Sequence, residues 1–398
     1  MLERHLWRDF VGVTASVAVL GIGVGSTLPL TALVLTARGF GPQVVGWMVA
    51  AAAVGGVAGT LASPAATERF GRRAVMIHCV AGAAASVIAL QYVDSLWGWG
   101  ALRALFGASM APLFVLGEAW INSLPGDAVR GRVVAIYTTS FTLCQVVGPL
   151  LTDALAEVPQ RAFVICGAVF LLGIPGIALA RDASSAARDS SDSDVRRRAD
   201  GGSAGEKDAV ASSLTILRTA PAIVAGAGLF AAFDNIVLSF LPLFALDHGL
   251  TRGRALAAVV VVFVGDATLQ FAAGALADRW GHARVQRLGG VALCLMLPLL
   301  PAMIRVPGLW ELYLFLLGGV AGSVYTLSMV SSGERFSGAA LLRASGLIAL
   351  TWSLATSVGP AATGLVMQHF GSASMTAVLW FMAVGFVIAT RAERHAEP

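Results

Sequence analysis

The sequence predicts an all-α integral membrane protein: twelve transmembrane helices in two six-helix bundles around a central cavity, with the N- and C-termini cytoplasmic. Three observations lead there. Of 398 residues, 57% are hydrophobic and 13% are charged, where a soluble domain carries about 25% charged residues to cover its surface. The remaining observations are an alternation of Lys and Arg between successive loops and a repeat of the first half of the chain in the second.

Apolar runs lie at 10–36, 44–66, 74–93, 98–122, 133–155, 162–180, 221–246, 255–277, 286–304, 308–330, 344–367 and 372–390. Each approaches the length of about 20 residues that a bilayer-crossing helix needs. The first run follows Arg4 and Arg8, as a signal peptide would, but continues without a small-residue cleavage pattern and reads as a retained span. With the N-terminus inside, the inner segments hold 21 of the 27 Lys and Arg and the outer loops five, with Arg103 inside a span. Leaving out the central loop, the bias is still 14 to five, the sign expected for cytoplasmic inner loops.

Between the sixth and seventh runs the composition changes to Ser, Asp, Arg and Gly with little to bury. Residues 182–217 are therefore expected to form a flexible cytoplasmic linker between bundles at 1–181 and 218–398. Arg196, Arg197 and Arg198 are either solvated there or in contact with anionic headgroups. The bundles repeat: Leu28-Pro29-Leu30 matches Leu241-Pro242-Leu243 at an offset of 213, Glu68-Arg69-Phe70-Gly71 matches Asp278-Arg279-Trp280-Gly281 at 210, and Gly148-Pro149 matches Gly359-Pro360 at 211. Three agreeing offsets imply a duplicated six-span unit whose copies run parallel.

Some chemistries are excluded by what is missing. There is no HExxH or phosphate-binding P-loop, so neither an enzyme nor direct ATP drive is expected. Cys79, Cys144, Cys166 and Cys294 have no paired spacing, and the six histidines have no metal-ligand spacing, so no cofactor or metal is expected. His78 reads as a packed, neutral side chain. The net charge of +4 reflects loop arginines and not nucleic-acid binding.

The most specific motif is Gly274-Ala275-Leu276-Ala277-Asp278-Arg279-Trp280-Gly281, a glycine-flanked turn with a carboxylate and a guanidinium at a helix end. It resembles the cytoplasmic-loop motif of the major facilitator superfamily. The earlier copy keeps Glu68, Arg69, Gly71, Arg72 and Arg73, with Pro64 where the family has glycine and Glu68 where it has aspartate. The resemblance extends over the whole chain and includes Arg103-x-x-x-Gly107. Gly117-Glu118-Ala119-Trp120-Ile121-Asn122 followed by Arg130-Gly131-Arg132 is similar to the YcaD-type bacterial branch. Cys144-Gln145-Val146-Val147-Gly148-Pro149 resembles a motif that the family associates with exporters, with Cys144 in place of its first glycine. Read physically, Gly148-Pro149 and Gly359-Pro360 provide close packing and a bend.

Asp234 and Asp266 fall near the centres of the seventh and eighth spans, where an aspartate costs about 2.5 to 3.5 kcal/mol. Either they pack, hydrogen-bonded, or they line the cavity and exchange protons. Asn235 follows Asp234, and Gln270 lies one turn from Asp266. Arg103 has two readings, a proton-coupling residue as the resemblance implies or a side chain snorkelling to outer headgroups. Glu118 is expected near the cytoplasmic end of its span, paired with Arg72 or Arg69, and Asp153 hydrated at an outer end. Gln145, Tyr325, Trp352 and Trp47 are candidates to face substrate, with packing as the alternative.

The resemblance implies a secondary transporter in a bacterial cytoplasmic (inner) membrane. It is expected to be monomeric, with the lipid bilayer, a small organic solute and protons as its partners. Export by proton antiport is favoured; proton-coupled uptake and a non-transporting sensor on the same scaffold are the alternatives.

Overall fold

A computed structural model describes residues 4–123, 130–179, 219–306, 308–336 and 338–396. The linker expected at 182–217 lies outside them, as do Arg196, Arg197 and Arg198. The first half comprises α1 (Arg4–Ala37), α2 (Pro42–Phe70), α3 (Arg72–Ala89), α4 (Leu96–Ser123), α5 (Arg130–Ala154), α6 (Ala162–Leu171) and α7 (Ile174–Leu179). The second comprises α8 (Pro221–Asp247), α9 (Arg252–Trp280), α10 (His282–Met303), α11 (Leu309–Arg335), α12 (Gly338–Phe370) and α13 (Ala377–Ala396). Among the described residues there are no strands, and ten helical segments are long and apolar enough on their own to cross a membrane.

Where one unbroken sixth span was expected, α6 and α7 are separated by a turn at Leu172 and Gly173. Pro175 has no N–H to continue the ladder. A Cβ on Gly173 would come within 3.2 Å of the Ser16 carbonyl oxygen on α1, so the break sits where two backbones meet. Together α6 and α7 make one crossing, and each half therefore crosses six times.

The packing repeats as the sequence does. In the first half α1 packs on α5, α2 on α4, and α3 on α6; in the second α8 packs on α12, α9 on α11, and α10 on α13. The halves meet through α2 against α12 and α9 against α5, two contacts that exchange when the halves are swapped, with α1 against α8 between them. This is the arrangement of parallel repeats about a common axis. Large apolar side chains cover the outside, among them Leu61, Phe271 and Leu350, each more than two-thirds exposed, which a lipid solvent tolerates and water does not.

We call the face where α1 begins the base and the opposite face the roof. The halves touch at the roof. A Cβ on Gly46 of α2 would lie 2.5 Å from the carbonyl oxygen of Pro360 on α12, and Gly364 of α12 is in similarly close backbone contact with Pro42. On the other side of the axis, the Asp153 carboxylate at the end of α5 faces Gly253 in the first turn of α9, where a negative charge meets the positive end of a helix dipole. Asp153 thus belongs to the contact between halves. Each half also carries an exposed roof ion pair, Arg38 with Asp94 at 3.6 Å and Arg254 with Glu311 at 3.1 Å.

Candidate functional site

The site is built on α8, the helix most enclosed by its neighbours. Phe230 and Asp234 stand one turn apart on it, and Asn235 follows. Asn235 donates from Nδ2 to the Ala231 carbonyl at 3.1 Å and lies 3.5 Å from Asp234 Oδ2. Asp234 itself is half-buried. Across the axis, the Gln145 side chain of α5, 5% exposed, lies close to the Asp234 carboxylate. Gln145 comes this deep because α5 lies directly on α1: Gly25 contacts the Gln145 carbonyl and Gly148 contacts Gly25, with no side chain between the backbones. Thr152 reinforces the pair, donating to the Ser26 carbonyl at 3.0 Å.

Asp266 has a different environment. It is 3% exposed and lies between α9 and α11. Gln270 Nε2 donates to its Oδ1 at 2.6 Å, and Gln270 Oε1 accepts from the Thr326 hydroxyl at 2.9 Å. The carboxylate occupies the space a side chain at Gly322 would need. Asp266 is thus packed and hydrogen-bonded within the second half, while Asp234 stands beside Gln145 of the first half. The carboxylates remain within electrostatic range of each other.

Next to Asp234, three rings from three helices form a platform. Phe230 stacks on Tyr325 of α11 with centroids 5.1 Å apart and planes at 18°, and Trp352 of α12 meets Tyr325 edge-on at 5.3 Å. Tyr325 and Trp352 are half-buried, whereas Phe230 is 8% exposed. Glu118 of α4 is exposed and lies within electrostatic range of Tyr325, in the opposite half, and of Tyr137 on α5. Arg72, expected beside Glu118, has its guanidinium 4.5 Å from the centroid of the buried Trp120 ring. Phe230, Tyr137 and Thr326 were not singled out from the sequence. The one available signal was Phe230, one turn before Asp234 in a helix that must face the cavity.

Arg103 does not snorkel. It is 1% exposed, with Nε donating to the Met48 carbonyl of α2 at 3.4 Å and its guanidinium 5.0 Å from the Phe106 ring centroid. It packs between α2 and α4 and forms no ion pair among the described residues. Gly359 and Pro360 are buried where α12 passes between α8 and α2: a Cβ on Gly359 would sit 2.9 Å from Ala232 Cβ. His78 is exposed on α3, contrary to the sequence reading, because that helix turns Val75, Met76, Val80 and Ala83 inward; its Nδ1 lies 2.7 Å from the Ala74 carbonyl.

At the base the two loop motifs fold alike. Gly71 and Gly281 each end one helix and begin the next with φ of 81° and 87°, a backbone conformation that favours glycine. Their N–H groups close the preceding helices on Thr67 and Ala277 at 2.9 and 2.8 Å. Arg69 lies over Phe70 at 5.2 Å, and Arg73 donates to the Ala178 carbonyl of α7. In the second copy His282, immediately after Gly281, lies 4.0 Å from Asp278 and 3.4 Å from Glu334 of α11. Gly274 has open space around it, and Arg279 lies in the last turn of α9. A cavity of about 380 Å³ opens beside this turn, lined by Trp280, His282, Arg284, Arg287 and Glu334 among others. Among the described residues no three His, Cys, Asp or Glu side chains converge as a metal site.

The family model described as Major Facilitator Superfamily matches residues 13–265 and 223–392. The chain is 24% identical over 369 residues to the uncharacterized MFS-type transporter YfkF of Bacillus subtilis, covering 90% of this chain and 88% of that one. It is 22% identical over 333 residues to the MFS-type transporter YcaD of Escherichia fergusonii, covering 82% and 80%. Among solved structures, a D-xylose-proton symporter superposes with a TM-score of 0.75 at 15% identity, covering 97% of both chains. The nucleoside transporter NupG superposes with 0.73 at 14% identity, covering 99% of both. At these identities the structures speak for the fold alone.

Proposed function

The chain belongs to the Major Facilitator Superfamily, and from that premise we propose that it is a proton-coupled exporter of a small organic solute, working as a monomer in a bacterial cytoplasmic membrane with its base toward the cytoplasm. The arginine bias supports the orientation. Export rather than uptake is supported by the resemblance of Cys144 to Pro149 to the exporter motif and by the α1–α5 contact that Gly148 makes possible.

One observation carries the proton coupling. The Asp234 carboxylate, half-buried at mid-membrane, meets Gln145 from the opposite half. A ligand shifts a two-state equilibrium only by binding the two states differently. Protonation of Asp234 alters a contact that spans the halves, so it biases which face is closed. Asp266 lies within electrostatic range of Asp234 in the same half. Proton uptake at Asp234 from the roof side and solute release to the same side then form one cycle.

The test uses the full chain reconstituted into inside-out proteoliposomes, with a panel of amines, sugars and nucleosides and a pH-sensitive dye in the lumen. An acidic lumen is expected to drive accumulation of a transported solute together with loss of luminal protons. Asp234→Asn is expected to retain solute counterflow and lose its dependence on the gradient. Accumulation by the wild-type chain that is the same with and without the gradient refutes the coupling, and gradient-driven transport by Asp234→Asn refutes the assignment of the carrier residue.

A further inference from the structure

Three helix ends meet at the base of the second half, and a histidine stands among them. Asp278 lies in the last turn of α9, His282 is the first residue of α10, and Glu334 lies in the last turn of α11. The His282 ring is 26% exposed, with Nε2 4.0 Å from Asp278 Oδ1 and Nδ1 3.4 Å from Glu334 Oε2. Both carboxylates therefore sit at the negative ends of helix dipoles, where a cation is favoured. A neutral imidazole carries one N–H, so in either tautomer one of the two carboxylates faces a ring lone pair. A doubly protonated ring has an N–H for each. The other charged groups around it are Arg279 from α9, Arg284 and Arg287 on α10, and Arg335 from α11. Packed on α10, α13 accepts from Arg287 through the Thr390 carbonyl at 3.0 Å and carries Arg391 next in sequence.

The helix that carries Asp278 also takes part in switching. At the roof, α9 meets α5 of the other half through Gly253 and Asp153. The two helices run in opposite directions, α5 from Arg130 at the base and α9 toward Trp280 there. Closing the base brings the first turn of α5, where the sequence has Arg130 and Arg132, toward the last turn of α9. Asp278 then has competing cations, of which His282 alone changes its charge between pH 5 and 8. That competition gives the two states different affinities for a proton, as a switch requires. We propose that His282 is a proton-operated clasp at the base: charged, it ties the last turns of α9 and α11 together and holds the roof-closed state; neutral, it releases Asp278 and lets the base close. The transport reading above supplies the orientation, with the base toward the cytoplasm. Under that reading a proton antiporter acidifies the side that the clasp senses, and the charged clasp then slows the cycle.

The test uses the full chain in lipid nanodiscs, with spin labels at the exposed roof residues Tyr92 and Val306 and the four native cysteines replaced. Asp234→Asn is included throughout, so that the proposed coupling carboxylate does not contribute to the response. Lowering the pH from 8 to 5.5 is expected to raise the ratio of short, roof-closed distances to long ones about two- to fivefold, the range that exposed ion pairs support. His282→Gln is expected to hold the pH 8 ratio at both pH values, and His282→Arg to hold the raised ratio at both. Asp278→Asn and Glu334→Gln are each expected to cut the response by about half or more, and 1 M salt to shrink it, because both carboxylates are exposed. Monodisperse elution of each variant shows that a lost response is not a lost fold.

A response that persists in full in a monodisperse His282→Gln overturns the clasp, as does one of opposite sign or the same distances at both pH values with His282 in place. The two readings fail separately. Gradient-driven flux in proteoliposomes whose dependence on base-side pH is the same for the wild-type chain and His282→Gln overturns the clasp and leaves proton coupling standing. A His282-dependent change in the roof distances without gradient-driven flux supports the clasp and overturns the transport reading.

Discussion

Alternating access requires the roof contact between α2 and α12 to break in every cycle, and Gly46→Ala tests that requirement at a point of close backbone contact. An alanine Cβ there lies 2.5 Å from the Pro360 carbonyl oxygen and 3.1 Å from Ala361 Cα, roughly 0.9 Å short of the 3.4 Å at which ordinary contact begins. Neither partner is the tip of a flexible side chain, so relief comes only from moving one helix against the other. Overpacking of this kind costs about 1 to 3 kcal/mol. The cost falls on the roof-closed state alone, since α2 and α12 separate at that point when the roof opens. The ratio of roof-open to roof-closed molecules is therefore expected to rise about 5- to 150-fold. Spin labels at Tyr92 and Val306, exposed residues on roof loops of opposite halves, report the change as a longer inter-label distance by pulsed electron resonance, in a background with the four native cysteines replaced. Gly385→Ala, where a Cβ meets nothing within 4 Å, is the control and is expected to leave the distribution unchanged. A distribution for Gly46→Ala that matches the wild type refutes the assignment of this contact as a roof seal.

Other perturbations address the packing around the site. Thr326→Val leaves Gln270 Oε1 without its donor and is expected to destabilise the chain by about 1 kcal/mol; a thermal-unfolding midpoint equal to the wild type contradicts the network. Gly322→Ala drives a methyl group into the Asp266 carboxylate, so a larger drop in midpoint than for Thr326→Val is expected. Gly71→Ala and Gly281→Ala place a side chain at φ of 81° and 87°, each at a cost of about 1 to 3 kcal/mol, read as loss of thermal stability in detergent. Arg103→Lys gives up the flat guanidinium contact with Phe106 and is expected to lower the midpoint, whereas a snorkelling arginine would tolerate lysine.

Much of the architecture was legible because it is written in composition and chain-local pattern. Runs of apolar residues place the twelve crossings, and Glu68 to Gly71 against Asp278 to Gly281 places the duplication. The glycine at each of those loops announces the turn it makes. The site was legible only as a set of residues. Asp234 and Asp266 could be flagged by their cost in lipid, yet the sequence did not distinguish the one at the junction from the one packed behind α11. The direction of Arg103, the exposure of His78, the break after Leu171 and the place of Glu118 were equally open.

The reason lies in the solvent. In water, an amphipathic stripe reveals which side of a helix is buried; in lipid the outer surface is as apolar as the core, and that signal fades. The sequence by itself therefore determined the class of the protein, its crossings, its repeat and the short list of polar groups inside the membrane. Tertiary packing alone decided how each helix is rotated, because rotation is set by close backbone contacts such as Gly25 on Gln145 and Gly46 on Pro360 between segments far apart in the chain. Those rotations place Gln145 against Asp234 and draw the three rings of α8, α11 and α12 together beside it.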